Sequence, residues 1–475
     1  MVSPGETRGA SGCMRRCASP PTECRLIITR RGESEVLVQW RSGFLRLPAV
    51  TVPSRQRLAP HLLPAIRTGI GLDAICCYSL DLEEGPTAPA RRYCVLEALS
   101  GEDRLKGGWT WIGTGEAAKG RFREERDAQA CRGALKRMAA CGHHVDSGNF
   151  TRAGWFTEVR TWVRSQLSRH GMILGTGWEQ YNMGPDFELL RFATDGPAVW
   201  FKAVGAPNLR ELAITTRLAR LDSDHVPTIL AHQAAWHAWL MLDAGATCLD
   251  QATDPRAWRI VARSLARLQL AALPHVEELS AAGCDDLRPC TLSDQIQPFL
   301  SRVEKVIDLQ PTCPPRRLSR TDLALAERLL RRSCRALEVL SVPDTLGHSD
   351  FNPGNVLIEE ERAVFIDWML GHTGHPFLTF EYLCALLRRI GPTPDKLLPS
   401  LREEYLRPWR RLLSAEQIAK SLQFSPLVAV FAYAQACTAK QGDASIEPPE
   451  SGGFLRALTR RMCEEARRIE EIPCP

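Results

Sequence analysis

No apolar run in these 475 residues approaches the ~18 that a bilayer-crossing helix requires, so no membrane partner is expected. The opening Met1-Val2-Ser3-Pro4-Gly5-Glu6 lacks a basic stretch leading into an apolar one. No secretory signal is therefore read, and a cytoplasmic location is expected. Cys13, Cys17 and Cys24 contain no C-x-x-C pair and have no fourth ligand nearby, which argues against zinc. The 17 cysteines are odd in number and scattered, as expected of reduced thiols serving as small apolar residues. Basic residues form no block. The net charge is only +5 and arginines are interspersed with acids, so no nucleic-acid partner is expected.

A hydrophobic content of 44% and a charged content of 24% are those of a soluble globular chain, and this length implies two or three domains. One stretch carries chemistry. His348-Ser349-Asp350-Phe351-Asn352-Pro353-Gly354-Asn355 has the pattern H-x-D-x-x-x-x-N, followed by the apolar Val356-Leu357-Ile358, a turn, and Val364-Phe365-Ile366-Asp367-Trp368. Phosphoryl transfer to a hydroxyl needs positioning and charge neutralisation more than covalent help. One carboxylate must take the acceptor's proton, and an amide and a second carboxylate must hold magnesium, which prefers oxygen ligands. Asp350, Asn355 and Asp367 supply these groups, and Asn-Pro-Gly keeps the loop irregular. The competing reading is a polar turn before a β-hairpin, with Asp350 and Asn355 capping local backbone.

This stretch resembles the aminoglycoside phosphotransferase family, within the larger group sharing the protein-kinase fold. The resemblance implies a catalytic Asp350 preceded by His348, metal held by Asn355 and Asp367, magnesium as cofactor, and ATP or GTP as phosphate donor to a small hydroxylated acceptor. Ser349 stands where the family usually has glycine, and Trp368 where related kinases have Phe-Gly. After Asp367 the family continues Gly-x-Pro-x-x-Asp. Here Gly374-His375-Pro376-Phe377-Leu378-Thr379 puts threonine at the loop-anchoring aspartate, with Glu381 or His375 as candidate substitutes.

Upstream, a meander of strands is expected at Trp178–Tyr181, Phe187–Phe192 and Val199–Val204, followed by a helix capped by Asn208. Lys202 lies within an apolar strand and needs a partner or phosphate to offset desolvation, unless it snorkels from a sheet edge. The resemblance makes Lys202 the phosphate-contacting lysine and Glu211 its helix partner. Glu211 is equally placed to close a capping box with Asn208. Trp239–Asp243 reads as the last small-lobe strand, where the resemblance places Met241 and Asp243 against the nucleotide base. Helices are expected over Asp254–Leu273, Leu292–Ile307, Thr321–Leu340, Phe380–Ile390, Leu397–Leu413, Ile418–Ala439 and Phe454–Ile469. Arg388, Arg389, Arg402, Arg407, Arg410 and Arg411 on this half argue against a polycationic acceptor.

Residues 1–24 read as a disordered tail. Next comes an α/β order: strands at Arg25–Thr29 and Val36–Trp40, a helix over Gln56–Thr68, then strands at Ala74–Tyr78 and Arg91–Ala98. It resembles a Nudix domain or is an unrelated small α/β domain. A working Nudix helix carries a glutamate array, whereas residues 56–71 hold no glutamate and Arg55, Arg57, His61 and Arg67 line the segment. Metal cannot be held there. A helix over Trp155–Leu167 is expected to fasten the two units. The expected fold is thus α+β, with domains at 25–150 (degenerate Nudix-like), 155–243 (small lobe) and 244–475 (large helical lobe). The expected function is a small-molecule kinase, and the alternative is a nucleotide-binding or sensing module.

Overall fold

The computed structural model describes residues 21–30, 35–53, 56–80, 91–99, 105–140, 149–184, 186–245, 247–310, 315–439 and 449–471. Arg55, Glu83, Glu84, His143, His144, Cys13 and Cys17 lie outside them. The chain divides into two compact units, one running through Trp162 and including Trp178–Arg191, the other made of Val163–Gly177 and Phe192 onward. The division falls inside the helix Trp155–Arg169.

The first unit is built on a sheet whose central strands, Thr22–Arg30 and Arg91–Ala98, run parallel, with antiparallel strands outside them. Alternation along Thr22–Arg30 sends Leu26 and Ile28 to one face and Ile27 to the other. The first face packs on Leu62 and Ile66 of the helix Ala59–Gly69, the second on Ala128, Cys131 and Ala134 of the helix Glu125–Ala140. Cys24 is buried in the first strand, which begins at Thr22, within the stretch expected to be disordered.

Within the second unit, Ala238–Leu242 lies between Val199–Val204 and Ile229–Gln233, antiparallel to both. The strand Ile229–Gln233 was not anticipated, since a run of Ile-Leu-Ala-His-Gln has little strand signature. Beyond this sheet the chain is mostly helical. The helices Arg256–Ala272, Phe377–Ile390 and Pro394–Trp409 share one apolar core with the hairpin Val356–Glu359/Arg362–Phe365. Pro289–Ile307, Arg320–Val339, Ala415–Ala439 and Pro449–Glu470 form a second core. Ser319 and Asp322 close a reciprocal capping box on Arg320–Val339. No helix among the described residues is long and apolar enough to cross a membrane.

Candidate functional site

Lys202 sits on the strand Val199–Val204, paired along its length with Ala238–Leu242. The register pairs Lys202 with Trp239 and Trp200 with Met241, placing Met241 on the face that carries Lys202. The ammonium is 5.6 Å from the Trp239 ring centroid. It donates to Glu211 Oε1 at 2.5 Å and to Asp367 Oδ1 at 3.1 Å. Burial disfavours this ammonium, but the two carboxylates more than compensate and raise its pKa. Glu211 is 2% exposed and opens the helix Glu211–Leu221. The helix starts later than expected: Arg210 occupies the N-cap position without a side-chain cap bond, and the Asn208 carbonyl accepts the Glu211 N–H at 3.0 Å. The ion pair, not a capping box, accounts for Glu211. Arg210 instead braces the site, chelating the Asp285 carboxylate and donating from Nε to the Met369 carbonyl at 3.1 Å.

The strand Thr345–His348 delivers the loop. Gly347 is required there because a Cβ would run into the His372 ring. Asn355 donates its side-chain amide to the Asp350 carbonyl at 2.9 Å, and Asn352 donates to the Asp350 carboxylate. The hairpin that follows pairs Val356 with Phe365, returning the chain so that the Ile366 N–H meets the Asn355 carbonyl at 3.0 Å. Two four-residue strands and a tight turn therefore explain the motif's spacing. Asp367 follows in the left-handed region (φ 67°, ψ 62°), a strained conformation that turns its carboxylate toward Lys202.

His348 is buried behind this loop. Its Nε2 lies 3.0 Å from the Ile366 carbonyl and its ring packs on Trp368, with centroids 4.6 Å apart. The Nε2 contact ties the ring to the residue just before Asp367. Trp368 donates its indole N–H to the Phe365 carbonyl at 3.0 Å. Ser349, in place of glycine, meets His372 Nδ1 at 2.9 Å. Burial pushes the His372 pKa down to about 3, keeping the ring neutral.

The expected weakness at Thr379 is resolved by Thr379 itself: its Oγ1 accepts the His348 N–H at 2.9 Å. Neither proposed substitute does this. His375 faces Phe377 and Ser421, and Glu381 lines a cavity beside the loop. Thr379→Val keeps the shape and removes the acceptor. An orphaned buried N–H costs about 1–3 kcal/mol. We expect a correspondingly lower denaturation midpoint for Thr379→Val and near-wild-type stability for Thr379→Ser, both read by chemical denaturation.

Asp243 ends the strand Ala238–Leu242; its N–H bonds the Ala198 carbonyl and its carboxylate accepts the Gly245 N–H at 3.1 Å, shaping the connector. Oxygen groups for magnesium are present in this site. The Asn355 amide nitrogen is engaged by the Asp350 carbonyl, so its Oδ1 is the candidate metal ligand, and the Asp367 side chain is 34% exposed. Among the described residues no three His, Cys, Asp or Glu side chains converge as a metal cage. That suits a metal whose remaining ligands are substrate phosphates and water.

A buried lysine–glutamate pair, an H-x-D loop tied through Asn355 to a second aspartate, and a helical large lobe define a protein-kinase-like phosphotransferase. The chain matches the model of the phosphotransferase enzyme family, APH, over residues 202–415. It is a small-molecule kinase of the aminoglycoside phosphotransferase type. No curated protein matches the sequence. Among solved structures, a macrolide 2'-phosphotransferase from Brachybacterium faecium is similar at 16% identity and TM-score 0.43, covering 64% of this chain and 98% of its own. An ethanolamine kinase from Plasmodium vivax is similar at 12% identity and TM-score 0.46, with 74% and 98% covered. The choline kinase of Streptococcus pneumoniae is similar at 13% identity and TM-score 0.42, with 65% and 99% covered.

Proposed function

We propose that the chain passes the γ-phosphoryl group of ATP or GTP to a hydroxyl of a small molecule. The observation that carries this is the convergence of Glu211 and Asp367 on Lys202, at 2.5 and 3.1 Å. Two carboxylates around one buried ammonium form a site ready to exchange part of that pairing for phosphate oxygens. Lys202, steadied by Glu211, binds the α- and β-phosphates, while Met241 and Asp243 lie where the base would sit. Asn355 and Asp367 hold magnesium, which when bound neutralises phosphate charge. Asp350 orients the acceptor hydroxyl and takes its proton as the oxygen attacks the γ-phosphorus. The bond to the bridging oxygen breaks and the nucleoside diphosphate leaves. Magnesium-dependent nucleoside diphosphate release, assayed with hydroxylated acceptors, tests this; no acceptor-stimulated release would remove the proposal.

For the first unit we propose a binding or docking role on a degenerate Nudix-like scaffold. The helix Ala59–Gly69 carries no carboxylate, and Arg67 is engaged by Asp73 at 2.6 Å. Among the described acids of this unit, Glu124 takes Arg91 and Arg25, Glu125 takes Arg132 at 2.6 Å, and Asp127 accepts from Tyr93 at 2.8 Å. Carboxylates neutralised by arginine are poor metal ligands, and metal-assisted attack on a diphosphate needs several free ones. In the intact Asp350→Asn chain we therefore expect no magnesium-dependent monophosphate release from nucleoside diphosphate compounds. Clear release would overturn this role.

A further inference from the structure

Beside the catalytic loop lies a cavity of about 830 Å³, lined by Ser349, Phe351 and Asn352 and walled by the helices Phe377–Ile390, Ala415–Ala439 and Pro449–Glu470. Asn352 links it to the chemistry, since its amide bonds the Asp350 carboxylate. Five arginines line it: Arg388, Arg389, Arg460, Arg461 and Arg468. Two are engaged, Arg460 by Gln310 and the Arg316 carbonyl, and Arg468 by Glu465 at 2.9 Å. Arg388, Arg389 and Arg461 make no hydrogen bond or ion pair among the described residues. Glu464 and Glu381 are the remaining acids. Glu381 is 5% exposed, yet its Oε1 has no hydrogen-bond partner among the described residues. Burial pushes its pKa up to about 7, against the pull of Arg388 and Arg402, so at neutral pH it adds less than a full negative charge. The wall therefore holds an excess of unneutralised guanidinium. Tyr433 and Phe454 add aromatic surface.

A polycation would meet this excess of like charge and be repelled by it. Guanidinium instead matches carboxylate and phosphate in a two-pronged geometry. The aromatic faces of Tyr433 and Phe454 suit the C–H surface of a sugar-like ring. Resting on the phosphotransferase reading above, we propose that the acceptor is a polyhydroxylated anion, a sugar acid or sugar phosphate, whose charged group is held by Arg389 and Arg461.

The test is equilibrium binding to the intact chain, by calorimetry, of D-gluconate, D-glucose 6-phosphate, D-glucose and kanamycin. At least one anion is expected to bind ten-fold or more tighter than glucose, with kanamycin weakest. Arg389→Glu/Arg461→Glu should bring the anion down to the glucose level, and Arg389→Gln/Arg461→Gln should fall between. These arginines are exposed on helix surfaces, so the variants are expected to fold, which circular dichroism checks. Gluconate alone gaining affinity identifies a carboxylate site, and glucose 6-phosphate alone a phosphate site. Glucose or kanamycin binding as tightly as both anions, no measurable binding of either anion at millimolar concentration, or indifference to the charge reversal would each overturn the proposal. Transfer surviving Asp350→Asn would instead strike the reaction assignment and leave the binding result standing.

Discussion

Asp350→Asn is expected to lower phosphoryl transfer by about 10²–10⁴-fold, the usual worth of a general base, while leaving nucleotide affinity within a small factor of wild type. In barrier terms this is roughly 3–5 kcal/mol. The substitution preserves size and keeps an oxygen facing the Asn352 amide, so the loop has no reason to move. The Asp350 carbonyl still accepts from Asn355 at 2.9 Å, because that bond is made by main chain. Single-turnover kinetics with saturating nucleotide separate the two quantities. Transfer near the wild-type rate would take Asp350 out of its role. A large loss of nucleotide affinity would mean that the loop, not the proton, had been changed.

Asp367→Ala is expected to weaken magnesium-dependent nucleotide binding by on the order of 10²-fold, and Asn355→Ala by about tenfold, since a carboxylate offers the metal a full charge and an amide only a dipole. Asp367 has a second task that widens the gap. It lies 3.1 Å from the Lys202 ammonium, so its removal also takes one carboxylate away from that lysine. Removing Asn355 loosens the tie to the Asp350 carbonyl and should cost rate as well as affinity. Titrating nucleotide affinity against magnesium for both variants measures this. Equal losses would mean the ligand roles are assigned wrongly.

The loop was legible because its parts are close in sequence. Asp350, Asn352 and Asn355 bond one another within a few residues, and a short hairpin fixes where Asp367 returns. Lys202 was legible for a different reason, as a cation in an apolar strand that had to have partners. Glu211 was ambiguous: three residues after Asn208 it fits both a cap and an ion pair, and only the 2.5 Å contact across the fold decides. Thr379 read as a defect because its usefulness depends on an N–H thirty-one residues earlier in the chain. Arg210 carried no signal, since an arginine at a helix start is ordinary until Asp285 and the Met369 carbonyl are brought to it.

The sequence carries the candidate reacting groups and the family resemblance in plain view, because phosphoryl transfer demands particular side chains at short, rigid spacings. It also determined most helices, through apolar periodicity. Tertiary structure alone decided which groups meet across long separations: Lys202 with Asp367, His348 with Thr379, and Arg389 with Arg461 around one cavity. The physical reason is that periodicity specifies which face of a helix is apolar but not which helix lies opposite. An arginine on a polar face therefore reads the same whether it meets water or a substrate.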